Sequence, residues 1–458
     1  MLLGLMRNQI VRICGFNKIG IMRQDRKYNQ TLGFYAPNMF LLHVNTDKSI
    51  KNWKKWDDKT MCTFLHEYIH FLQDISTVSG LYNIYVFGER LSDMVNQIYH
   101  MTDKMVRVPI NIVPGPNNVY NNIVLKNKLE GTICLPDGVD KDNLQVSGQA
   151  TLVDTPLIMN GQHVNMHEVR VPYQRGGYFL LGHYHISESM AYLAENVVYG
   201  NMPNVIEASP NYPYDVVRQL ACFYSPQLAN NLPLLFALCD YSLTFSHSGY
   251  ALVNVFNHYV AAGQPTDWKR FVLNEKANTR AGGLAGQTTY AEGLLEIKKM
   301  AIDSLDKRFN NETYNDIRQW YYNIIGRAID MRLNYPLLWN DLLEGGELRS
   351  NPQFAKLLNG IGLPVMTNNK NKSFFITKVT GCPLKKRRAM YLIAAGSITS
   401  ALGGGIFRCK LYDICKADCR LVNKKCEQAP WKKARKWFVC PYGHMWYGWG
   451  LKEKELVR

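Results

Sequence analysis

Three features of this 458-residue chain predict an α+β fold. From Thr63 to Asp74 apolar residues recur at helical spacing, shortly after the strand-like run Phe40 to Val44. From Val106 to Pro172 the sequence is rich in β-branched residues and punctuated by Gly, Pro, Asn and Asp, as a small β-rich insertion would be. From Tyr178 to about Leu343 the helical period returns.

In chain order, Met1 to Met6 is apolar but stops at Arg7, short of the apolar region of a secretory signal, so a cytoplasmic location is expected. Asp57 and Asp58 offer an N-cap for the helix that follows, and Gly80 is expected to end it. Leu81 to Met101 reads as a second long helix. The clearest later amphipathic stretches are Glu292 to Phe309 and Tyr314 to Leu333. Ala389 to Phe407 is uncharged up to Phe407, but Ser397, Thr399, Ser400 and three consecutive glycines dilute it. It is therefore expected to be a buried helix and turn, not a membrane span. The expected divisions are 1–104, 105–175, 176–345 and a basic, Cys-rich segment 346–458.

Composition is that of a globular protein with a large core: 47% apolar residues, with 27 Tyr and 18 Phe. The formal charge of +16 concentrates toward the C-terminus, at Lys385 to Arg388 and Lys432 to Lys436. Such charge favours acidic partners or anionic surfaces without reading a nucleotide sequence.

Chemistry concentrates in His66-Glu67-Tyr68-Ile69-His70. Residues four apart share a helix face one turn apart, so both imidazoles can reach one metal ion. Glu67, rotated about 100° from His66, can reach a water on that ion without ligating it, which is the position of a general base. A catalytic zinc usually takes three protein ligands and keeps a fourth position for water, so a third ligand is required. A metzincin would place Gly and a third His at the positions of Gln73 and Ser76. The third ligand must lie elsewhere.

The best candidate lies in the stretch Leu181 to Glu195. Ile186, Met190, Leu193 and Val197 recur at helical spacing, which places Glu188 near the start of an amphipathic helix and Glu195 two turns along its face. Glu188 is the leading candidate, with Glu195, His183 and His185 as alternatives of types that zinc accepts. Here the chain resembles the gluzincin group of zinc metallopeptidases, whose third ligand is a Glu on a downstream helix. Glu188-Ser189-Met190-Ala191 matches their Glu-small-x-Ala pattern, and the surroundings look like poorly characterised bacterial proteins with His-Glu-Tyr-x-His. The resemblance covers these two segments. It implies a zincin-like core and lacks two parts of the thermolysin-like pattern: the Asn before the ligand Glu, and the Asp four residues after it, where Tyr192 stands.

The expected activity is that of a zinc-dependent hydrolase acting on a peptide or protein. Glu67 removes a proton from water whose pKa the metal lowers, then returns it to the leaving amine. Tyr184, His185 and His247 are candidate donors to the oxyanion. The alternative is a non-enzymatic, basic, zinc-stabilised protein that binds nucleic acid, with His66 and His70 structural.

A second cluster lies at the end. Cys409, Cys415, Cys419, Cys426 and Cys440 fall within 32 residues, followed by His444. Cys415, Cys419, Cys426 and Cys440 are the candidate ligands of a structural zinc, although no Cys-x-x-Cys knuckle is present. An iron–sulfur cluster or plain buried thiols are the other readings.

Overall fold

The computed structural model describes residues 32–114, 118–159, 162–206, 209–278, 280–283, 286–375, 384, 386–418, 422–435 and 440–458. The N-terminal apolar run, Lys385, Cys419 and Lys436 lie outside the described residues.

Strands β1 (Gly33–Ala36) and β2 (Leu41–Val44) pair antiparallel, Gly33 opposite Val44. The reversal between them passes through Phe40 at φ 47°. A left-handed phenylalanine is uncommon, and here its ring is 2% exposed, packed edge-on against Phe71, Trp320 and Tyr321. Helix α1 (Asp58–Ser76) follows, with Asp57 as its N-cap: the carboxylate accepts the Thr60 N–H at 2.8 Å. Fifteen of its nineteen residues are buried, because β1, β2 and several helices pack around it.

Gly80 does not end that helix. α1 stops at Thr77, whose hydroxyl donates to Gln73 O and accepts the Gly80 N–H, so that it also caps α2 (Val78–His100). Gly80 sits in the first turn of α2, where a Cβ would stand 2.3 Å from Gln73 O. Its lack of a side chain lets the two helices pack tightly at their junction.

The insertion is mixed. After β3 (Met105–Arg107) comes a helix, α3 (Val119–Glu130), inside the stretch expected to be β-rich. Its buried positions, Val119, Ile123, Lys126 and Leu129, do follow the helical period, but β-branched residues and asparagines mask it. The β character expected there resides in an antiparallel sheet of β4 (Thr151–Met159), β5 (Gln162–Tyr173) and β6 (Gly177–Leu180).

From α4 (His183–Tyr199) onward the chain is mainly helical, as expected. α5 (Leu232–Ser242) and α6 (Ser248–Ala261) are followed by the hairpin of β7 (Arg280–Gly283) and β8 (Gly286–Thr289). α7 (Tyr290–Arg308) begins with a capping box between Thr289 and Glu292, and α8 (Asn315–Asn334) packs against both α7 and α1. These two helices coincide within a few residues with the amphipathic stretches read from the sequence.

The last part of the chain returns to the first. β9 (Val365–Thr367) pairs parallel with β2, and β10 (Ser373–Phe374) completes a four-stranded sheet in the order β1-β2-β9-β10. α9 (Lys386–Leu402) is the expected buried helix, ending in a turn at Gly403 to Gly405. Among the described residues no helix is long and apolar enough to cross a membrane. α10 (Pro441–Gly448) packs on α9, and β11 (Glu455–Val457) pairs parallel with β3. The architecture is α+β, dominated by helices with small sheets.

Candidate metal centre

α1 and α4 lie against each other, and their contact builds the centre. His66 and His70, one turn apart on α1, stand with ring centroids 4.9 Å apart. Glu188, in the second turn of α4, places Oε2 3.5 Å from Nε2 of each histidine. Ligands held about 2.1 Å from one ion at tetrahedral angles stand roughly 3.4 Å apart, so this spacing fits a single zinc-sized cation. Among the described residues this is the one group of three or more His, Cys, Asp or Glu whose ligand atoms all lie within 4.8 Å of one another.

The other ring nitrogens are committed elsewhere. Nδ1 of His66 lies 3.2 Å from Glu195 Oε1, and Nδ1 of His70 lies 2.9 Å from Gln73 Oε1. With each Nδ1–H donated to an oxygen, each Nε2 keeps its lone pair for the centre, which is how ligating histidines are normally oriented. Glu195 therefore stands behind His66 and not beside the ligand position. It also receives a hydrogen bond from Cys62, one turn before His66, whose thiol is kept protonated by burial first and then by Glu195 itself. Gln73 uses its Nε2 to donate to Ser187 O at 3.1 Å, tying α1 to the turn of α4 that carries Glu188. Gln73 and Glu195 thus fix the orientation of the two imidazoles from behind. Ser76, at the other position that excludes a metzincin, accepts a hydrogen bond from Arg332 at 3.0 Å.

Electrostatics favour a cation. Burial alone would make His66 and His70 less basic, but the carboxylates of Glu195 and Glu188 beside His66, and of Glu188 beside His70, outweigh it and raise both pKa values. Burial likewise works to raise Glu188, and the two histidines hold it well below the usual carboxylate range. Glu67 is different: burial raises its pKa despite the neighbouring histidines, the setting of a carboxylate that exchanges protons. The four side chains of His66, His70, Glu188 and Glu195 are 11–16% exposed, so the centre is partly reachable from solvent.

Strand β1 crosses directly over Glu67. A Cβ on Gly33 would stand 2.8 Å from both His43 O and Thr63 Cγ2, and 3.4 Å from Glu67 Cγ. Gly33→Ala should therefore push β1 off the helix, lowering stability by about 1–3 kcal/mol. Metal content should stay at the wild-type value, since Glu67 lies outside the trio of His66, His70 and Glu188. Thermal denaturation with metal analysis checks this; a variant of unchanged stability would refute the contact.

The remaining candidates lie away from the ligand atoms. His185 accepts the Gly182 N–H at Nδ1 (3.3 Å) and bonds Tyr212 Oη at Nε2 (2.8 Å), with burial lowering its pKa to about 3. His183 is buried beside Glu130 (3.9 Å) and lowered to about 4, again by burial first. His247 caps α6, its Nδ1 accepting the Tyr250 N–H and its Nε2 2.5 Å from His167 O. Tyr184, half-buried on α4, sets its ring edge-on to His185 at 5.4 Å. Tyr214, absent from the sequence reading, sets its ring edge-on to His66 at 5.8 Å and packs against Tyr192. No local pattern marks it, because its place depends on how the segment after α4 folds back.

At the C-terminal end Cys415 is half-buried, Cys426 buried and Cys440 half-buried, all as free thiols. His444 bonds Tyr314 Oη through Nδ1 at 2.9 Å. Within the basic runs, Arg388 pairs with Asp316 and Lys432 with Glu455, whereas Arg387 is exposed. No family model matches the sequence, and no curated protein or solved structure matches it.

Proposed function

We propose that this protein is a zinc-dependent hydrolase acting on peptide bonds, in the manner of the gluzincin peptidases that its two motif segments resemble. The observation that carries the reading is the meeting of Nε2 of His66, Nε2 of His70 and Oε2 of Glu188, with Glu67 next to them and free of the ligand set. Two imidazoles and one carboxylate are the ligand set of a catalytic zinc that keeps an open position. When bound there, the cation supplies Lewis acidity, polarising a carbonyl and acidifying water.

The protein's own residues do the rest. Glu67 accepts the proton of the attacking water at its carboxylate, and its raised affinity for protons suits it to hold that proton until the leaving nitrogen takes it. Glu195 and Gln73 hold the two imidazoles with Nε2 forward. Tyr214, whose ring stands edge-on to His66, is the phenol set to donate to a developing oxyanion. A purely structural metal site has no use for an acid between its histidines, which favours hydrolysis over a zinc-stabilised nucleic-acid-binding protein.

A quenched-fluorescent peptide library tests the reading. The zinc-loaded chain should cleave members of it, and a chelator should stop cleavage. Glu188→Ala should lose the metal and all cleavage, whereas Glu195→Gln should bind zinc about 10–100-fold more weakly. Full zinc affinity in Glu188→Ala would overturn the ligand set.

A further inference from the structure

We propose that Arg308 holds a small monovalent anion of halide size in a cavity between α1, α2 and the end of α7. The cavity is lined by Arg308, Asp74 and Asn83 and by the apolar side chains of Phe40, Ile84 and Phe87, and it has room for little more than one water-sized particle. Arg308 is the last residue of α7 and is only 3% exposed, so its charge lies inside the protein.

That charge has no counter-ion. The guanidinium carbon lies 5.3 Å from the ring centre of Phe87, 4.9 Å from that of Phe309 and 5.7 Å from that of Tyr321. Nη2 donates to Tyr321 Oη at 3.3 Å, whereas Nε is buried with no hydrogen-bond partner. Among the described residues no carboxylate pairs with Arg308; burial works against its charge, and Tyr321 is the group that opposes burial. The buried Arg332 shows the contrast, since it faces Asp240 at 2.8 Å. Ring faces compensate a cation in part, but a buried guanidinium is far less costly when a full negative charge and an acceptor meet it. An anion in the cavity is both, and takes the unused Nε–H.

The other polar walls suit the same ligand. Asn83 Oδ1 is buried with no hydrogen-bond partner. A half-turn of that amide puts Nδ2–H where Oδ1 stands, and an acceptor in the cavity satisfies it. Asp74 accepts the Tyr35 hydroxyl at 3.0 Å, and burial pushes its pKa up to about 7, so that its protonated form can donate as well. The Arg308 charge rejects a cation, and the narrow space rejects a bulky organic anion. The bound ion would tie α1, α2 and α7 together, independently of the hydrolase reading.

Melting temperatures of the full chain in sodium chloride and in sodium gluconate, at equal ionic strength, test this. Both anions are monovalent and screen alike, but gluconate is too large for the cavity. Chloride should raise the melting temperature saturably, by roughly 1–3 °C at ten times its dissociation constant. Arg308→Met should lose this response and, with an uncompensated buried charge removed, should melt in gluconate no lower than the wild type. Glu188→Ala should keep the response, because the ion is not bound at the histidine centre. Should Arg308→Met fail to fold, the wild-type chain still decides: chlorine nuclear magnetic resonance should show excess line broadening that bromide removes and gluconate does not, in Glu188→Ala as in the wild type. Equal melting temperatures in the two salts without such broadening, a chloride response that persists in Arg308→Met, or one that vanishes in Glu188→Ala would each overturn the proposal.

Discussion

Glu67→Gln should abolish hydrolysis and leave the metal in place. The amide keeps the shape of the carboxylate but cannot take a proton from water, and general-base catalysis of this kind contributes about 10²–10⁴-fold. Glu67 stands outside the trio of His66, His70 and Glu188, so zinc content and affinity should stay at wild-type values or rise slightly as a buried acid is removed. Turnover and metal stoichiometry measured on one preparation check both halves. Loss of the metal in this variant would mean that Glu67 is a ligand, and full turnover would mean that it is not the base.

Asp240→Asn should be the most damaging single change to stability away from the centre. Asp240 is 2% exposed on α5 and lies between two buried cations, 2.8 Å from Arg332 Nη1 and 3.3 Å from Lys276 Nζ. Burial works to raise its pKa, but Arg332 and then Lys276 outweigh this and hold it below the usual carboxylate range. An asparagine fills the same volume and leaves both cations without a counter-charge, which costs about 3–5 kcal/mol at neutral pH. A carboxylate depressed in the folded state stabilises fully above its unfolded pKa, and that contribution is lost as pH falls through the folded value. The gap between wild type and Asp240→Asn should therefore be widest near neutrality and close in strong acid, as the wild type loses its own charge. Chemical denaturation as a function of pH checks this; a gap that does not change with pH would show that packing, not charge, sets the cost. Because Arg332 also reaches Ser76 at the end of α1, the same variant should weaken metal binding.

How much of this was legible beforehand depends on the range of the interactions. The His66–Glu67–His70 arrangement follows from the helical period alone, and the Asp57 cap, α7 and α8 were readable for the same reason: each depends on residues within a turn or two. Glu188 was readable because its helix carries its own periodicity. α3 was not, since β-branched residues and asparagines hid a period that packing against α2 enforces. Nor was the role of Glu195. Sequence spacing puts it on the same face as Glu188, but only the packing of α4 against α1 decides that Glu188 meets Nε2 of His66 while Glu195 meets Nδ1. Tyr214, the passage of β1 over Glu67 at Gly33, the parallel pairing of β2 with β9 and the approach of Cys409 to Cys426 all join residues with no shared local pattern. Chemistry that one helix can present is written in local spacing, whereas orientation, burial and partnership arise from contacts whose energy exists only once distant segments have closed on one another.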